Sequence, residues 1–325
     1  MTNKEIYRKT LTFSLRKLVV DFFGLIVVGG LATLGFFLMN KQDDENGLIG
    51  LIIGLIVGLI LVAILTHFFG YMFKAGQIAM MTRGVTENRL PDNVYQEGKA
   101  AVKARFKTVA VFYLVTNAIH GIFNAIARGV TKIGKAVGGD TGENIASAIN
   151  SAIQIVVGFL CDCCLGWVFF RKDQKVFKAT CEGAALFFKH GKTLIKNVGR
   201  IFGLGLLFLI LIGGAFFGVL YVVFLQFPKT FEILAAEIQQ FGATLSEGKL
   251  PEFLYDPKTL TIAAAAVVAL ILWSFIHSTF IRPFILVGVL RNYMETGMKD
   301  IPTEDSFKAL DGMSPKFEKL RAADV

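Results

Sequence analysis

Six runs of mostly apolar residues, separated by clusters of charge, decide which solvent this chain can fold in. They are Leu18 to Met39, Gly47 to Phe73, Thr108 to Ala127, Ile145 to Phe170, Ile201 to Phe227 and Leu260 to Ile281. Each approaches or exceeds the ~18–20 apolar residues a helix needs to cross a hydrocarbon core of ~30 Å. Only a helix satisfies its own backbone hydrogen bonds in lipid, so all six are expected to be helical. The alternation over about ten residues that marks a membrane β-barrel is missing from the sequence.

Composition agrees. The 325 residues are 54% hydrophobic and only 18% charged, whereas soluble domains average about 25% charged. The expectation is a single all-α transmembrane domain over residues 1–325. Twenty-six of the 34 Lys and Arg residues fall on one side of the resulting zigzag and seven on the other, with Arg282 at the end of the sixth run. By the positive-inside rule the basic side is cytoplasmic. Both termini are then cytoplasmic, 228–259 is an extracytoplasmic loop, 303–325 is a cytoplasmic tail, and the location is the plasma (inner) membrane. Topology and anionic lipid account for the net charge of +9 without nucleic acid. The basic stretch Met1 to Lys17 leads into a full-length span rather than a short h-region, so it is expected to be retained.

The runs pair into three hairpins, each preceded by a basic, amphipathic segment. In the first, Tyr7, Leu11, Leu15 and Leu18 share a helical face, with Arg8, Lys9, Thr12 and Arg16 away from it. The middle copy has Val102, Phe106 and Val109 with Lys99, Lys103, Arg105 and Lys107. In the third, Phe187, Gly191, Leu194 and Val198 form the apolar stripe, and Lys189, Lys192, Lys196 and Arg200 a basic one that marks a lipid-interface site. Helices of this design lie flat on an anionic leaflet. Gly84 to Pro91 (GVTENRLP) and Gly297 to Pro302 (GMKDIP) echo one another and suggest a duplicated hairpin. The outer loop is acidic, and Phe231, Leu234, Ile238 and Phe241 read as a short amphipathic helix serving as a cap or a docking surface.

Polar residues inside the runs are where function would lie, because an ionisable group in lipid is costly. Tyr113, Asn117, His120 and Asn124 share one face of the third run, and Asn150, Gln154, Gly158 and Cys161 one face of the fourth. These faces either hydrogen-bond across a helix interface or line a polar pocket in which His120 titrates. A second set, Asp21, His67, Asp162, His277 and Arg282, shares a depth near the inner leaflet, where Arg282 can sit between the two carboxylates. Asp162 is the member that needs a partner: a structural salt bridge or a proton or cation site. The Cys161, Asp162, Cys163, Cys164 run and Cys181 lack the ligand spacing of a zinc site, so no metal and no cofactor are expected. Gly50, Gly54 and Gly58, and Gly214 with Gly218, form small-residue ridges for close helix packing within the chain or between copies. Pro283 is expected to kink or end the sixth span, leaving Phe284 to Leu290 as an interfacial continuation.

The stretch Ala185 to Gly213, ALFFKHGKTLIKNVGRIFGLGLLFLILIG, resembles the repeated unit of the six-helix membrane domain attached to some glycerophosphodiester phosphodiesterases and of related bacterial membrane proteins. The order from the C-D-C-C run through this stretch to the Arg282 region also resembles the C-terminal half of choline-transporter-like proteins. The first resemblance implies a six-helix membrane fold without the phosphodiesterase's catalytic domain, which has no counterpart here. The second implies transport of a polar or cationic solute, without that family's large extracellular region and additional spans. No GxGD, HExxH or paired Ser and His appears, so enzymatic activity is not expected. Two functions remain: a scaffold or accessory subunit engaging anionic lipid, a membrane-protein partner or a second copy, and a small transporter or channel.

Overall fold

The computed structural model describes residues 1–40, 47–106, 111–122, 124, 142–245, 251–303, 307–308 and 318, which are all-helical apart from turns and short connections. The helices are α1 (Asn3–Asn40), α2 (Gly47–Thr86), α3 (Val94–Arg105), α4 (Val111–Ile122), α5 (Gly142–Phe170), α6 (Val176–Phe208), α7 (Gly214–Phe224), α8 (Pro228–Leu245), α9 (Pro257–Ile276) and α10 (Arg282–Lys299). Among the described residues three helical stretches are long and apolar enough to cross a membrane: Asn3–Asn40, Ile201–Phe224 and Pro257–Lys299. Shorter apolar helices cover Ile49–Ile64, Val111–Ile122 and Gln154–Phe170.

The chain forms two compact units, each assembled from separated segments. The first comprises Met1–Lys17, Leu65–Phe202 and Arg282–Val325; the second comprises Leu18–Ile64 and Gly203–Ile281.

In the first unit the first two basic segments each bury one side in protein. The buried stripe of α1 is Ile6, Thr10, Phe13 and Ser14, one position away from the predicted one, and Leu15 is exposed. Thr10 and Ser14 tolerate burial because Gln77 of α2 donates from Nε2 to Ser14 Oγ at 2.9 Å and to the Thr10 carbonyl at 3.3 Å. Phe13 fills the space left by two glycines, since a Cβ at Gly76 or Gly98 would collide with its ring. Helix α3 begins at Asn93, whose side chain accepts from Gln96 N at 3.1 Å. It buries Val94, Gly98 and Val102.

α2 continues well past Phe73, the expected end of the second span, because Ala75 to Met81 are buried inside this unit. It ends at Thr86, and Asn88 then takes φ 54°, a left-handed conformation that Asn adopts more readily than most residues. The two echoed segments play matching roles, each closing a helix at a glycine packed under another helix. A Cβ at Gly84 would meet Ile6 at 3.0 Å, and one at Gly297 would meet Leu186 and Trp167 at 2.5 Å.

α5, α6 and α10 enclose the core, which includes Trp167, Leu165, Leu186, Leu290 and Tyr293. The Tyr293 hydroxyl donates to the Gly183 carbonyl. Trp167 Nε1 donates to buried Glu182 at 3.2 Å, and Gln174 and Arg171 take up the remaining capacity of that carboxylate. Arg105 closes the C-terminus of α5, donating to the carbonyls of Val168, Arg171 and Gln174 at 2.7–2.9 Å. Residues 285–290 are buried here, so the stretch after Pro283 is core rather than an interfacial continuation. Pro283 is accommodated by a π-helical turn over His277–Ile281, which loosens the ladder where the ring would clash.

In the second unit the Gly50, Gly54 and Gly58 ridge of α2 packs on α1. Added Cβ atoms would run into the backbone of Gly35, Leu31 and Val28 respectively, so the close approach depends on glycine. Gly214 and Gly218 have nothing within 4 Å of an added Cβ. α8 lies against α9, with Phe231 and Ala235 buried. Asp256 caps α9 by accepting from Thr259 N at 2.8 Å. Much of the remaining surface is bare apolar side chain, including Val19, Phe22, Phe23, Phe37, Ile210, Val219 and Val222. Such a surface fits lipid and not water.

Candidate functional site: a buried carboxylate between two cations

Asp162 lies in the apolar stretch Gln154–Phe170 of α5 and its side chain is 2% exposed. Oδ1 receives Lys74 Nζ at 2.6 Å and Oδ2 receives Arg282 Nη2 at 2.6 Å. The same Arg282 nitrogen donates to the Gly158 carbonyl at 3.2 Å, and the guanidinium lies 5.1 Å from the centre of the Phe159 ring. Gly158 leaves the room for this approach, since a Cβ there would sit 3.4 Å from Arg282 Nη2. Three helices supply the triad: Lys74 from α2, Asp162 from α5 and Arg282 from the first turn of α10. The sequence reading had Arg282 between two carboxylates; the structure has one carboxylate between two cations. Lys74 was missed because it follows the apolar run ending at Phe73 and was counted as an ordinary cytoplasmic charge.

Of the residues expected to form the polar pocket, His120 comes next to this triad. Cys161 Sγ lies 3.4 Å from His120 Nδ1, so the polar face of α4 touches α5 one residue before Asp162. Tyr113 packs its ring 6.3 Å from that of Tyr71. Asn117 and Gln154 are exposed, and Asn124 Oδ1 is buried with no hydrogen-bond partner among the described residues. The side chains of Asn150 and His67 lie outside the described residues. Asp21, half-buried on α1, and His277, its ring 5.4 Å from that of Trp273, belong to the second unit.

The third basic segment is part of α6, which kinks at His190 (φ −111°, ψ 20°). Lys189 Nζ is bonded to Asp300 at 2.6 Å, and this bond holds the Asp300 carboxyl below the usual carboxylate range. His190 Nε2 is 3.2 Å from the other oxygen but off the line a hydrogen bond requires. Lys189 therefore ties α6 to the end of α10 rather than reserving its charge for lipid. The side chains of Lys192, Lys196 and Arg200 lie outside the described residues.

Cys161, Cys163, Cys164 and Cys181 are buried and form no disulfide. No group of three or more His, Cys, Asp or Glu among the described residues is arranged to hold a metal ion. Two clefts lie beside the basic segments. One of about 620 Å³ includes Thr82, Arg83, Glu97, Arg105 and Phe169, and one of about 570 Å³ includes Lys9, Arg16, Asp92 and Tyr95.

No family model matches the chain, and comparison with curated proteins and with solved structures likewise gives no match. The functional reading therefore rests on the residues themselves.

Proposed function

We propose that this chain is a non-enzymatic, multi-pass protein of the plasma membrane, with six spans in three hairpins and cytoplasmic termini, that acts as a scaffold or accessory subunit by engaging anionic lipid. One observation supports this reading most: the first two basic segments are anchored in protein by Ile6, Phe13, Val94 and Val102 while Arg8, Lys9, Arg16 and Lys103 stay exposed. Arg16 lies over the Tyr95 ring at 3.9 Å yet keeps its charge, and each basic group near an anionic leaflet contributes about 1 kcal/mol. Replacing Arg8, Lys9 and Arg16 together by Gln is expected to weaken the preference for phosphatidylglycerol over phosphatidylcholine vesicles by about tenfold or more. An unchanged preference would show that these charges set topology alone.

Transport of a cation through Asp162 is the less favoured reading, because both oxygens of that carboxylate already face fixed cations. The proposed topology has its own test. Ser14, on the cytoplasmic side, is 2% exposed and a poor place for a label, whereas Thr12, Gln96 and Thr230 are exposed. Cysteines at Thr12 and Gln96 are expected to react with an impermeant maleimide only from the cytoplasmic side, and one at Thr230 only from outside. Labelling at Thr230 from the cytoplasm would overturn the orientation.

A further inference from the structure

We propose that Lys74 and Arg282, held side by side by Asp162, form a site for a phosphate-type oxyanion, occupied by the phosphodiester of an anionic lipid headgroup. This rests on the reading that anionic lipid is the partner, but places one lipid at a built site distinct from the exposed basic faces. Two formal positive charges meet one negative charge in the triad, leaving an excess of +1 beside the apolar stretch of α5. An uncompensated charge in such surroundings is costly, and a bound anion removes the cost.

The exposures show which side is open. The carboxylate is 2% exposed, while Lys74 is 45% and Arg282 33% exposed, so the cations shield the acid and present their outer sides. Donors remain there. Among the described residues Lys74 uses one of its three N–H groups and Arg282 uses only Nη2, leaving Nε and Nη1 without partners there. Both nitrogens are bonded to oxygens of one carboxylate, close enough for a single tetrahedral oxyanion to bridge them. A guanidinium fork beside a point-charge ammonium suits phosphate. The site has the wrong sign for a choline-like cation.

The test uses the full-length protein in phosphatidylcholine nanodiscs doped with phosphatidylglycerol, reading retained lipid by native mass spectrometry. Wild type is expected to hold one phosphatidylglycerol per chain saturably. Lys74→Gln, which leaves a neutral Asp162–Arg282 pair, is expected to lose it by about tenfold or more, and Lys74→Arg to keep it. If millimolar inorganic phosphate displaces the lipid, the site is upheld with a soluble oxyanion as a competing occupant; if it does not, the site is upheld as lipid-specific. Retention by Lys74→Gln equal to wild type would overturn the proposal. Should that variant fail to fold, non-saturable uptake by wild type would overturn it equally. The Arg8, Lys9 and Arg16 triple variant separates the two readings: loss there with Lys74→Gln unaffected rejects the site alone, and the reverse rejects the surface role alone.

Discussion

Asp162→Asn is expected to destabilise the protein by about 3–5 kcal/mol, because it leaves two cations beside an apolar helix with no counter-charge. The side chain keeps its shape, so the loss is electrostatic and should appear as a fall in the thermal midpoint in detergent with helicity unchanged below it. Removing one of the stranded cations should restore part of the loss, so Asp162→Asn with Arg282→Gln is expected to be more stable than Asp162→Asn alone. Lys74, the more exposed of the two at 45%, can turn its ammonium outward, and Lys74→Gln alone should therefore cost far less. A double-mutant cycle in which the Asp162 and Arg282 losses simply add would show that the pair is not coupled.

The second large effect is expected at Gly54. A Cβ there would sit 2.9 Å from Ala32 Cα and closer still to the Leu31 carbonyl, and backbone cannot move aside as a flexible side chain can. Gly54→Val must push α1 and α2 apart, at a cost of about 1–3 kcal/mol or more. Gly29, on α1 itself, has nothing within 4 Å of an added Cβ. Gly29→Val should therefore leave the thermal midpoint close to wild type, apart from the small gain in backbone rigidity. Equal losses at Gly29 and Gly54 would mean that the ridge does not set the helix approach. Disulfide trapping between cysteines at Leu31 and Leu55 gives an independent readout of the separation.

The first basic segment was legible in its charges and not in its packing. Its charges were legible, since Arg8, Lys9 and Arg16 are exposed as expected. Its buried face was not. The apolar stripe read from the sequence holds Leu15, which is exposed, whereas Thr10 and Ser14 are buried because Gln77 supplies the hydrogen bonds that make their burial tolerable. Similarly, Pro283 announces a break in the ladder, yet only packing against α5 makes the residues after it core. The Glu182 network is invisible in the chain for the same reason: its partners Trp167, Arg171 and Gln174 are ordinary residues until α5 and α6 come together.

By itself the sequence determined that this is a helical protein with membrane-length apolar stretches, because hydrophobic length and backbone self-satisfaction are local properties that no distant residue can alter. It also singled out Asp162 and Arg282, since charge in an apolar run demands compensation wherever it occurs. Only the tertiary structure decided what that compensation is. Lys74 reaches Asp162 because α2 continues as a helix beyond Phe73 and is held there by the burial of Ala75 to Met81, so the sign of the site, one excess positive charge, is a property of packing between helices and not of any one of them.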